Sequence, residues 1–88
     1  MKKIIVSLLV LLLMSGSAFA KTKSANNVRS GIVEYKKGNY VGCMMLMKDV
    51  VKKDPTNSVA HYYLGMSYSR IGDAENAAKS YNSVISLN

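Results

Sequence analysis

Two dipeptides, Gly38-Asn39 and Gly72-Asp73, stand 34 residues apart, and the chain around them repeats with the same period. Glycine closes a helix in the left-handed conformation without a Cβ penalty, and Asn or Asp accepts hydrogen bonds from the free amides that open the next helix. Each dipeptide therefore predicts one helix ending and another starting with almost no loop between them. After Gly38, the residues Tyr40, Cys43, Met44, Met47, Val50 and Val51 fall on one helical face. After Gly72, Ala74, Ala77, Ala78, Tyr81, Val84 and Ile85 take the same offsets. Upstream of the turns, Val28, Ile32 and Tyr35 form one stripe and Ala60, Leu64, Tyr68 and Ile71 another. The pattern predicts four helices, at about Asn26 to Lys37, Tyr40 to Lys53, Val59 to Ile71 and Ala74 to Leu87.

Between the copies, Pro55 disfavours helix at Asp54 and bars continuation of the preceding helix, while Asn57 or Ser58 can cap the next one. Aligned over 24–54 and 58–88, only four pairs are identical: Ser24/Ser58, Gly31/Gly65, Gly38/Gly72 and Val50/Val84. The repeat is thus carried by side-chain class and turn chemistry. Gly31 and Gly65 each remove a side chain so that the two helices of a hairpin can approach, with small residues, Cys43 and Ala77, on the facing helix. Met47 and Tyr81 are expected to fill the gap between successive hairpins.

This period and pattern resemble the tetratricopeptide repeat, whose signature is Trp-x2-Leu-Gly-x2-Tyr, then Ala-x3-Phe, with Pro near the end. The second copy has His61 in the Trp place, followed by Leu64, Gly65, Tyr68, Ala77 and Tyr81, and the sequence stops at Asn88 where Pro would come. The first copy keeps Gly31, Pro55 and the Gly38-Asn39-Tyr40 turn, but has Asn27, Ser30, Glu34, Cys43 and Met47 at the other signature places. The resemblance covers residues 24–88 and implies an all-α fold of two stacked antiparallel helix-turn-helix hairpins, a right-handed α-solenoid. It also implies a concave groove for a peptide or partner helix, lined by Val28, Arg29, Ile32, Tyr35 and Lys36 of the first unit and Tyr62, Tyr63, Met66, Ser69 and Arg70 of the second. Half-buried packing is an equal reading for Tyr63. The Lys and Asn pattern with which chaperone-binding members grip a C-terminal carboxylate is absent.

The first 20 residues stand apart from this fold. Lys2 and Lys3 precede an apolar run from Ile4 to Met14 and then Ser-Gly-Ser-Ala-Phe-Ala, the pattern of a secretory signal peptide cut after Ala20. As helix the run rises about 16 Å, short of a hydrocarbon core of about 30 Å, so no stable membrane anchor is expected once it is removed. The expected organisation is a signal peptide at 1–20, a flexible leader at 21–25, and repeats at 24–57 and 58–88. The expected location is exported, periplasmic or extracellular.

Charge and chemistry narrow the function. The chain has twelve Lys and Arg against five Asp and Glu, with the surplus in the first half. An exported basic face suits an acidic protein, anionic lipid or cell-wall polymer, and no aromatic-interleaved basic run points to nucleic acid. With one histidine, His61, and one cysteine, Cys43, no multi-ligand zinc site or Cys–His nucleophile can be assembled. His61 is read as a packing residue and Cys43 as a buried, inert thiol. Met44, Met45 and Met47 could suggest Cu(I), but Met45 and Met47 point about 200° apart on a helix and Met44 and Met47 lie on the core stripe. Five carboxylates form no acid/base pair, and neither Gly-x-Ser-x-Gly nor a phosphate-cradling loop occurs. The reading is a non-enzymatic interaction module with no cofactor or metal. The alternatives are a self-associating envelope scaffold, through the uncapped last helix or the Val41, Met45 and Leu46 face, and a fragment of a longer repeat protein.

Overall fold

A computed structural model describes residues 25–88, so the expected signal peptide and nearly all of the expected leader lie outside the described residues. Four helices occupy this span: α1 over residues 25–36, α2 at Tyr40–Lys53, α3 at Ser58–Ile71 and α4 at Ala74–Leu87. No strand occurs among the described residues. No helix among them is long and apolar enough to cross a membrane. The bounds agree with the periodicity to within one residue; Ser58 joins the first turn of α3 because Asn57, not Ser58, supplies the cap.

The two hairpin turns are the same structure built twice. Gly38 and Gly72 sit at φ 86° and 95°, the left-handed region. In each turn the residue after glycine donates back to a carbonyl five residues earlier: Asn39 to Glu34 and Asp73 to Tyr68, both at 2.9 Å. This is the hydrogen-bond signature of a Schellman cap. The same Asn and Asp then open the next helix, accepting from the Gly42 and Asn76 amides at 3.0 and 3.2 Å. The Asn76 side chain and backbone N–H together hold the Asp73 carboxyl below its usual pKa.

The inter-repeat link is closed differently. Asp54 donates to Val50 at 2.7 Å, Asn57 accepts from the Ala60 amide at 3.0 Å, and His61 Nε2 lies 2.8 Å from the Pro55 carbonyl. Because a carbonyl only accepts, Nε2 carries the proton there. His61 thus ties α3 to the link that precedes it.

The core joins three helices. Cys43, Met47 and Val50 of α2 are buried with Ala60 and Leu64 of α3, and Val28, Ile32 and Tyr35 of α1 pack against them. α3 is the central element, packed on α2 on one side and α4 on the other, and the backbones of α2 and α4 do not approach each other closely. A Cβ built at Gly31 would lie 2.7 Å from Met47 Cε, and one built at Gly65 would lie 2.7 Å from Tyr81 Cε1. Each large residue therefore fills the space over the glycine of its own hairpin, rather than only the gap between hairpins. Met47 does both, since it also shares the cluster with Ala60 and Leu64; Tyr81 stays with α3.

The buried strips are narrower than the apolar spacing predicts. Ile71 is 44% exposed and Ile85 71% exposed, and Ala74 and Ala78 also face solvent. A helix packed on a single neighbour covers only a narrow strip, and on α4 that strip runs through Ala77, Ser80, Tyr81 and Val84. Ser67 and Ser80 are buried although neither is apolar. Ser67 Oγ finds no partner of full hydrogen-bonding geometry; it faces the Cys43 thiol, a weak partner. Burial pushes the Cys43 thiol above its ordinary pKa, more than Ser67 lowers it, as suits an inert packing residue.

Candidate protein-interaction site

The residues assigned to the groove separate into two groups. Val28, Ile32 and Tyr35 are half-buried against the core, as is Tyr63, whereas Arg29, Lys36, Tyr62, Ser69 and Arg70 are exposed. A hollow of about 530 Å³ gathers Tyr35, Met66, Ser69 and Arg70, together with Tyr81, which the sequence placed among the repeat positions. Val28, Arg29, Ile32, Lys36, Tyr62 and Tyr63 do not line it.

Five tyrosines run through this region as one connected series of ring contacts, three of them edge-on and the last, Tyr62 with Tyr81, tilted. Tyr35 of α1 meets Tyr40 of α2 at 5.1 Å and Tyr63 of α3 at 5.7 Å; Tyr63 meets Tyr62 at 5.8 Å; and Tyr62 meets Tyr81 of α4 at 6.3 Å. Every helix contributes at least one ring. Edge-to-face pairs at these separations add about 0.5–1.5 kcal/mol each beyond area burial, and they support the wall of the hollow, to which Tyr35 and Tyr81 belong.

Arg70, in the last turn of α3, is set on this wall. Its Nε donates to Tyr35 Oη at 3.3 Å, and its guanidinium lies 5.7 Å from the centre of the Tyr40 ring. No carboxylate lies within ion-pair distance of it among the described residues, whereas Lys37, Lys53 and Lys79 are paired with Glu34, Asp49 and Glu75. The phenol and ring orient the guanidinium and leave most of its five donors for a planar acid. Among the described residues no group of three His, Cys, Asp or Glu could hold a metal ion.

The tetratricopeptide repeat family model matches residues 46–79. These residues are a tetratricopeptide repeat. The matched segment runs from the middle of α2 through α3 to the middle of α4, and its length equals the period that separates the two turns. Tetratricopeptide repeat protein 1 of Schizosaccharomyces pombe is 34% identical over 67 residues, covering 69% of this chain and 6% of that protein. The chain thus spans a small part of the relative's length. Tetratricopeptide repeats typically bind other proteins, and the helical hairpins described above are protein-interaction architecture in that sense.

A second recess went unread in the sequence. A cleft of about 420 Å³ opens between α2 and α4 over the back of α3, away from Arg70, and Lys48, Lys52 and Lys79 stand along it. The periodicity of α2 did place Lys48 and Lys52 one turn apart on one face, which was the available signal. What it could not show was that α4 would bring Lys79 to the opposite wall.

Proposed function

We propose that this chain is an exported, non-enzymatic adaptor whose tetratricopeptide repeats hold an acidic peptide or partner helix of another protein in the hollow at Arg70. The observation that carries the reading is a guanidinium set on an aromatic wall with no carboxylate within ion-pair distance among the described residues. Export rests on the Lys2-Lys3 start, the apolar run and the Ala18 and Ala20 cut site. With a photo-crosslinker in place of Met66, the segment captured from an envelope extract is expected to carry a carboxylate. Arg70→Glu with Lys36→Glu should weaken binding of that segment, made as a synthetic peptide, by about tenfold or more. Unchanged affinity in the double variant would remove the assignment.

A second reading, self-association into a scaffold, is favoured by Val41 and Met45, one turn apart on α2 and 51% and 64% exposed. It expects light scattering to show a mass that rises with concentration, and Met45→Lys to return the chain to monomer. A constant monomer mass at high micromolar concentration would dismiss it.

A further inference from the structure

The cleft on the back of α3 has the chemistry of a second docking surface, independent of the hollow at Arg70. Its floor is mainly apolar, with Leu64 buried and Val51 and Tyr68 half-buried beside it, and His61, Asn76, Ser80 and Ser83 complete the lining. Its walls are α2 and α4, whose backbones stay apart. Its rim is basic on both sides, with Lys48 and Lys52 on α2 and Lys79 on α4, and no Asp or Glu lines it.

The charges of α2 are divided between its two sides. Asp49 pairs with Lys53 at 3.2 Å and accepts from Asn27 of α1 at 3.4 Å, so the neutralised pair lies toward α1. Lys48 and Lys52 have no carboxylate within ion-pair distance among the described residues. Across the cleft, Lys79 is met only by Glu75 on its own helix, an exposed pair at 3.4 Å that is easily exchanged for another acid. Positive charge on both rims of an apolar floor, unpaired on α2 and held only by an exposed pair on α4, calls for an occupant that is apolar along one stripe and acidic along both of its borders.

We infer that this cleft takes an acidic amphipathic helix from another protein, laid over α3 between α2 and α4. Lys48 and Lys52 are one helical turn apart, a rise of about 6 Å, which is also the separation of carboxylates at i and i+4 on an incoming helix. Apolar residues of the same helix would then reach Val51, Leu64 and Tyr68, adding the area burial that lysines alone do not supply. A flat anionic membrane could meet the lysines but would leave that recessed floor uncovered.

The test uses the full chain and a synthetic peptide of about four helical turns, with leucines along one stripe and glutamates on both borders. Amide chemical-shift changes are expected at Lys48, Lys52, Leu64 and Lys79. The same peptide with glutamines in place of glutamates should bind at least about tenfold more weakly, and so should Lys48→Glu with Lys52→Glu, with the shifts at Leu64 and Lys79 lost in both cases. The glutamine peptide needs no protein variant, so the outcome does not depend on how the double variant folds. Equal binding of the two peptides would overturn the inference, as would shifts centred on Tyr35 and Met66 or displacement of the peptide by vesicles of anionic lipid. The last result would assign the lysines to a membrane surface instead.

Discussion

Met47→Ala is expected to lower the stability of the fold by about 2–5 kcal/mol, the range for truncating a large buried side chain. In a chain this short the core supplies only about 3–5 kcal/mol in total, so most molecules should be unfolded at ordinary temperature. Three observations place Met47 at the top of that range. It is the largest fully buried side chain, at 0% exposure. It belongs to the cluster that joins α2 to Ala60 and Leu64, so its loss loosens both the first hairpin and the contact between hairpins. And it lies over Gly31, which has no side chain to relax into the void. The check is a denaturant melt followed by circular dichroism, with Met47→Leu as the companion. That swap keeps the volume and should cost less than about 1.5 kcal/mol. Nearly equal midpoints for the alanine variant and the parent chain would mean that the first hairpin is held by something other than this contact.

The same residue shows what the sequence could and could not disclose. Helices, turns and caps were legible because each is a local event: Gly38 and Gly72 must take positive φ, and Asn39, Asn57 and Asp73 can each reach an amide three residues on. The partners of Met47 and Tyr81 were only half legible. Spacing put each on an inward stripe, but which gap a side chain fills depends on how deeply one helix settles against the next. Ser67 and Ser80 were missed for a related reason. They lie three residues past Leu64 and Ala77, on the buried strip, yet a count of apolar residues passes over a hydroxyl even where a tight helix crossing needs a small one.

The hollow was legible as a set of first-helix residues but not as a shape. Arg70 and Tyr35 are 35 residues apart and come within 3.3 Å, a contact no local pattern contains. Tyr81 enters the hollow from the second helix of its hairpin, because an aromatic ring is long enough to cross over Gly65 and reach Tyr62. The lysine cleft was hidden for the opposite reason. Its residues are exposed and individually ordinary, and only the gap left between α2 and α4 gives them a common purpose.

Gly65→Val should destabilise the chain by about 3 kcal/mol, the upper end of overpacking costs, whereas the equivalent change at Gly31 should cost much less. The two glycines hold the same place in the repeat but meet different neighbours. A Cβ at Gly65 would lie 2.7 and 2.8 Å from Tyr81 Cε1 and Cδ1, the side of a rigid ring. At Gly31 the atom at 2.7 Å is the terminal methyl of Met47, which can turn about its last bond, with Sδ next at 3.3 Å. Alanine sharpens the contrast. Each Gly→Ala change gains about 1 kcal/mol of helix propensity, which should make Gly31→Ala nearly neutral and leave Gly65→Ala net destabilising. Pairing Gly65→Val with Tyr81→Ala should restore part of the loss, since the clash is with that ring, and a double-mutant cycle measures the restored part. Equal costs at the two glycines, or no rescue by Tyr81→Ala, would show that helix packing rather than the tyrosine ring sets the requirement. Because Tyr81 also touches Tyr62 and lines the hollow at Arg70, the valine variant that survives folding should bind the crosslinked peptide more weakly than its stability alone accounts for.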